Sequence, residues 1–301
     1  MRIFCLGDSI MQYNDCTTYP QTGWIQELSR FFIPGTEFLN YARNGRSSKS
    51  FIAEGRFDSL LKAVRPGDYA LIQFGHNDEK EADPNRYTSP EIGGEFRRNL
   101  EYFTVNLLAH KCFPILLTPM ARRKYTDSFG VHDGKADEIL LQIHKIQAKG
   151  ASSAEDAEKL ESLRLNLHEL WTQAGALRKI EPTHGEYPNA IKEVAERLAV
   201  PCIDMTTLSE NFLEDLGEEK SRKLYMNFGE GEYINYPEGK NDNSHLRPDG
   251  AFEFSRIAAM EIAKLGDMWA NYENLSNAIV GKMDDIYDDG EDIDDEFVMF
   301  K

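Results

Sequence analysis

Short apolar runs alternate with helix-patterned stretches along most of this chain, and that alternation restricts the fold more than any other feature. A strand covered on both faces reads as a continuous apolar run, and its parallel neighbour is reached by a crossover, usually a helix. Arg2–Leu6, Phe38–Ala42, Tyr69–Phe74, Phe113–Thr118 and Pro201–Asp204 read as five such strands. Between them, Trp24, Ile25, Leu28, Phe31 and Phe32 recur at helical spacing up to Pro34, and Phe96, Leu100, Phe103 and Leu107 do the same. Ile191, Val194, Ala195 and Leu198 form a third stripe, and a last helix covers about Ala251–Leu265. The expected fold is α/β, a three-layer α/β/α sandwich around a five-stranded parallel sheet.

Residues from about 134 to 180 break the pattern, being polar, helix-favouring and nearly free of strand signals. Ser152 with Glu155 makes a capping-box start. Leu160, Leu163, Leu167, Leu170, Ala174 and Leu177 then step by three and four, a seam for a second helix that Ile139, Ile143 and Ile146 supply. With Lys149-Gly150-Ala151 turning the corner, this segment is expected to be an inserted helical hairpin. Either it simply thickens the fold, or it serves as a lid or a homodimer contact.

The 34 basic residues stand against 51 acidic ones, a formal charge of −17, which argues against nucleic acid or an anionic membrane surface as partner. Part of the excess is local, because 284–296 holds nine acids and no base, and 271–301 reads as an extension with a disordered, solvated tail. No run approaches the roughly 20 apolar residues of a membrane span. The first strand begins at the first residues with no export signal, so the expected location is the cytoplasm. There, the widely spaced Cys5, Cys16, Cys112 and Cys202 are expected to be free, buried thiols.

Gly7-Asp8-Ser9-Ile10 follows the first strand, Asn44-Gly45-Arg46-Ser47-Ser48 the second and Gly75-His76-Asn77-Asp78 the third. Asp242-Asn243-Ser244-His245 lies in a Pro/Gly-rich stretch, read as a loop, before the final helix. Ends of parallel strands and loops are where such sheets gather a site. Each group alone has a bland reading: an ordinary turn, a satisfied loop histidine, a turn-capping asparagine. Together, and in this order, they resemble the four blocks of the SGNH (GDSL-type) hydrolase superfamily. Asn44–Phe51, Gln73–Asp78, His184–Pro188 and Asn235–Lys240 further resemble its rhamnogalacturonan acetylesterase branch, over about 1–125 and 182–265.

The resemblance implies a flavodoxin-like SGNH hydrolase domain over 1–270, the hairpin being an insertion. It implies a serine esterase that removes O-acetyl groups from acetylated plant cell-wall oligosaccharides of pectic or xylan type. Ser9 would be the nucleophile, His245 the base and Asp242 its orienting carboxylate. The backbone N–H groups of Ser9 and Gly45 and the Asn77 amide would form the oxyanion hole. No metal or other cofactor is required. His184, Arg122 and Tyr236 are further candidates for contact with substrate, while Asp8 and His76 are read as structural. An acyl hydrolase of lipase or thioesterase type, or a glycan-binding relative without chemistry, would be the competing functions. The aromatic and amide side chains Tyr225, Asn227, Tyr233, Asn235 and Tyr236 suit sugars better than an acyl chain.

Overall fold

A computed structural model describes residues 1–126, 134–148, 154–173 and 179–280. Five strands, β1 (Arg2–Gly7), β2 (Glu37–Asn40), β3 (Tyr69–Gln73), β4 (Phe113–Leu117) and β5 (Cys202–Ile203), form one parallel sheet in the order β2-β1-β3-β4-β5. Helix α1 (Ile25–Leu28) connects β1 to β2, α2 (Ser48–Ala53) and α3 (Arg56–Ala63) connect β2 to β3, and α4 (Glu95–Ala109) connects β3 to β4. Between β4 and β5 lie α5 (Gly134–Ala148), α6 (Ala154–Gln173) and α7 (Tyr187–Leu198). After β5 come α8 (Met205–Leu216) and the short α9 (Glu218–Ser221). Strands β6 (Tyr225–Phe228) and β7 (Lys240–Leu246) then pair antiparallel as a separate ribbon, ahead of α10 (Pro248–Met268) and α11 (Glu273–Ser276).

Alternate residues of the central strands point to opposite faces, and both faces are covered. Ile3 and Cys5 meet Trp24, Ile25 and Leu28 of the α1 segment and Phe254, Ala258 and Ile262 of α10. Phe4 and Leu6 meet Phe51 of α2, Phe57 and Leu60 of α3, Phe103 of α4 and Ile191 of α7. These are the expected three layers. Strand β5 is only two residues long, shorter than the apolar run around it suggested. Helix α10 is longer than expected because Pro248 starts it, a position where the missing N–H of proline costs nothing.

Ile143 of α5 packs with Leu160 and Leu163 of α6, with Ile139 and Ile146 alongside. Ser152, the Lys149–Ala151 corner, Ala174, Leu177 and the acidic tail lie outside the described residues. All four cysteines are free, but only Cys5 and Cys112 are buried: Cys202 is half-buried, and Cys16 is exposed in the polar turn before Pro20. Among the described residues, no helix is long and apolar enough to cross a membrane, and no group of His, Cys, Asp or Glu could hold a metal ion.

Candidate active site

The ends of β1, β2 and β3 are laced together before any side chain of the site is considered. A Cβ on Gly7 would lie 2.5 Å from Met11 Sδ and 2.8 Å from the Gln73 carbonyl oxygen, so only glycine lets β1 end this close to β3. The Gly7 carbonyl accepts the Arg43 N–H at 3.1 Å, which ties the end of β2 to it. Asp8 closes the turn, its carbonyl accepting the Gln12 N–H at 3.1 Å and its Oδ1 the Ile10 N–H at 3.0 Å. Ser9 therefore stands just past the carboxyl end of β1, and Gly45, in the left-handed region at φ +77°, just past β2. Asn77 follows β3 and is 3 % exposed.

The Asp242 and His245 block is not a loop. It lies on β7, because residues 240–246 pair with β6 through backbone bonds that their polar side chains do not announce. The same pairing buries Tyr225 and Asn227, two of the aromatic and amide side chains expected to suit a sugar. Asp242 Oδ1 accepts the backbone N–H groups of Ser244 at 2.9 Å and His245 at 3.0 Å. That local turn brings Asp242 Oδ2 to 2.8 Å from His245 Nδ1. The other ring nitrogen, Nε2, lies 3.0 Å from Ser9 Oγ, across 236 residues of chain. A carboxylate at Nδ1 fixes a proton there and leaves Nε2 to accept from the serine hydroxyl. Burial pushes the Asp242 carboxyl up, but the hydrogen bond and charge of His245, with the two N–H groups, outweigh it and hold it well below the usual carboxylate range.

Ser9, Gly45, Asn77 and His245 line one cavity of about 410 Å³, whose wall also includes the cationic Lys80 and Arg122. Sequence reasoning did not single out Lys80, yet its Nζ donates to Asn77 Oδ1 at 2.9 Å. Its only sequence signal was the spacing of three residues, one turn, from Asn77. His76, read as structural, also lines the cavity, with its Nδ1 buried 3.7 Å from Asp8 Oδ2. Burial, followed by His184 and Arg122, pushes the His76 ring well below the ordinary imidazole value and keeps it neutral.

Two candidates for substrate contact need correction. His184 is 3 % exposed, its Nδ1 lies 3.0 Å from Glu79 Oε2 and its Nε2 2.8 Å from the Met120 carbonyl. Both nitrogens are thus occupied, and the ring supports Glu79 instead of facing the cavity. Tyr236 donates its hydroxyl to the Thr18 carbonyl at 3.1 Å and is absent from the cavity wall, so it braces one surface loop against another. Arg122 does reach the cavity, paired behind it with Glu79. Burial pushes the Glu79 carboxyl up, and His184 and Arg122 together more than reverse this.

A hydroxyl, an imidazole and a carboxylate in this order can convert serine into a nucleophile and carry its proton. Donors on the same cavity can receive the negative charge that forms when such a nucleophile adds to a carbonyl. Residues 5–229 match the model of the GDSL-like lipase/acylhydrolase family, a span that ends before the Asp242–His245 strand. The chain is 29 % identical over 268 residues to rhamnogalacturonan acetylesterase RhgT of Bacillus subtilis (strain 168), covering 88 % of this chain and 91 % of that protein. It is 27 % identical over 265 residues to the probable rhamnogalacturonan acetylesterase YesY of the same organism, covering 88 % and 93 %. The crystal structure of YxiM from Bacillus subtilis shares the fold with a TM-score of 0.60 at 21 % identity, covering 88 % of this chain but only 57 % of that one. With its strand order and its Gly7-Asp8-Ser9 turn in place, and the family's pattern running through most of its length, the chain belongs to the GDSL-like lipase/acylhydrolase family.

Proposed function

We propose that this chain is a serine esterase that removes O-acetyl groups from acetylated plant cell-wall oligosaccharides, with pectic fragments as its first substrates. The observation that carries this reading is the 3.0 Å contact between Ser9 Oγ and His245 Nε2, backed by Asp242 on the other ring nitrogen. Ser9 Oγ attacks the acetyl carbonyl while His245 Nε2 takes its proton, and the resulting imidazolium is held by Asp242. The carbonyl oxygen, now an oxyanion, is received by the N–H groups of Ser9 and Gly45 and by Asn77 Nδ2. His245 then protonates the departing sugar oxygen, leaving acetyl on Ser9. Water repeats the same steps to release acetate and restore the hydroxyl.

The likeness to two rhamnogalacturonan acetylesterases supports the acetyl and pectic parts of the reading. Arg122 in the cavity wall is the group that would meet a uronate, although Glu79 already pairs with its guanidinium. The test is acetate release from acetylated pectic, xylo- and manno-oligosaccharides by the wild-type protein and Ser9→Ala. Release should be fastest from the pectic set and fall on the order of 10⁴-fold or more in the variant. Undiminished release by Ser9→Ala would remove the nucleophile. Preference for octanoyl over acetyl p-nitrophenyl ester would replace the sugar reading with a lipase-like one.

A further inference from the structure

The Asn77 amide is gripped by its oxygen. Oδ1 accepts from Lys80 Nζ at 2.9 Å and from Arg86 Nη1 at 3.4 Å, while Nδ2 gives one hydrogen to the Arg46 carbonyl at 3.1 Å. The second Nδ2 hydrogen has no acceptor among the described residues, and Asn77 shares the cavity wall with Ser9 and Gly45. A primary amide has nearly the same shape when turned over, so packing alone does not select which end faces the cavity. Turned over, it would aim a carbonyl oxygen at a forming oxyanion and repel it. Two cations on Oδ1 prevent this, because Nδ2 in that place would meet Lys80 and Arg86 donor to donor.

The segment from Asn77 to Thr88 is folded back on itself to make this grip. The Lys80 N–H donates to the Asn77 carbonyl at 3.3 Å, the Asp83 N–H to the Lys80 carbonyl at 2.8 Å and the Thr88 N–H to the Asp78 carbonyl at 3.0 Å. Asp83 Oδ2 in turn aims Arg86, accepting from its Nε at 2.5 Å. Burial, then Arg86 and Arg122, push the Lys80 ammonium below its ordinary value. Negative charge forming in the cavity relieves that crowding of cations.

We infer that Lys80, assisted by Arg86, is a positioning residue for the esterase reaction, orienting and polarising the Asn77 amide so that Nδ2 donates to the oxyanion. The inference rests on the proposed oxyanion role of Asn77. Its test is kcat and KM for p-nitrophenyl acetate, an ester with no sugar, in Lys80→Met, Lys80→Arg, Asn77→Ala and the Lys80→Met/Asn77→Ala pair. Asn77→Ala should lower kcat on the order of 100- to 1,000-fold. Lys80→Met should lower it about tenfold with KM unchanged, and Lys80→Arg should restore most of the loss. Once Asn77 is alanine, Lys80→Met should change kcat by less than about twofold, because the group it acts through is gone. Lys80 belongs to neither hydrophobic cluster packed on the sheet, so its replacement leaves the core untouched.

Losses that multiply in the double variant would overturn the inference. So would an effect of Lys80→Met that is confined to KM for acetylated oligosaccharides and absent with p-nitrophenyl acetate. Full activity in Asn77→Ala would overturn the oxyanion reading itself, and the inference with it.

Discussion

Asp242 uses its two oxygens for different tasks. Oδ1 holds the backbone turn through Ser244 and His245, and Oδ2 faces the imidazole. Asp242→Asn would keep an acceptor for the turn but could offer an amide N–H to His245 Nδ1, driving the proton to Nε2 and leaving Ser9 without a base. The expected result is a fall of about 10⁴-fold in kcat for p-nitrophenyl acetate. Thermal melting should move little, since the turn survives; a rate within tenfold of wild type would refute the assignment. At this scale the sequence was informative where spacing carried the geometry, as in Asp242-x-x-His245. It was silent where orientation comes from remote partners. Nothing in the string around His184 says that Glu79 and the Met120 carbonyl occupy both its nitrogens. Lys80, a lysine in a polar stretch, reads as a surface residue until its contact with Asn77 is seen.

The ribbon of β6 and β7 carries Asp242 and His245, the proposed acid–base pair, and two strands alone are marginally stable in water. It is therefore pinned from several sides. The Thr22 N–H donates to the Leu246 carbonyl at 2.9 Å, the Arg123 N–H to the Asn243 carbonyl at 2.8 Å and the Arg247 N–H to the Leu224 carbonyl at 3.0 Å. The first turn of α10 presses on the same place, where a Cβ on Gly250 would lie 2.1 Å from the Leu224 carbonyl oxygen. Gly250→Ala must move backbone, at a cost of about 1–3 kcal/mol or more. A lower melting temperature and a lower kcat are expected together, and unchanged melting by calorimetry would contradict this close packing. Strands β1, β3 and β4 were legible because burial on both faces makes them continuous apolar runs. The ribbon was not, because Lys240-Asn241-Asp242-Asn243-Ser244-His245 is as polar as any loop, its pairing made by backbone.

Over the whole molecule, charge is distributed against the average, with cations at the cavity of a chain whose formal charge is −17. Two carboxyls lie buried beneath the site. Burial pushes Asp8 up to about 6 and Asp78 up to about 7, and Oδ2 of each has no hydrogen-bond partner. A raised carboxyl holds its proton in the native state at pH values where the unfolded chain, near 4, has released it. Stability from Asp78 is thus fully present below about pH 4 and lost as pH rises to about 7. Asp242 runs the other way, its contribution being lost only in strong acid. Asp78→Asn, which retains an acceptor for Ser48 and Thr88, should flatten the decline between about pH 4 and 7 by roughly 1.4 kcal/mol per pH unit. Urea denaturation at stepped pH measures this; parallel profiles for the two proteins would contradict it.

The pairing of residue 9 with residue 245 also has a temporal side. During synthesis the histidine emerges 236 residues after the serine, so on the proposed mechanism a polypeptide halted between them cannot cleave esters. On the proposed mechanism turnover needs both residues in place, so ester cleavage reports that two distant segments have come together.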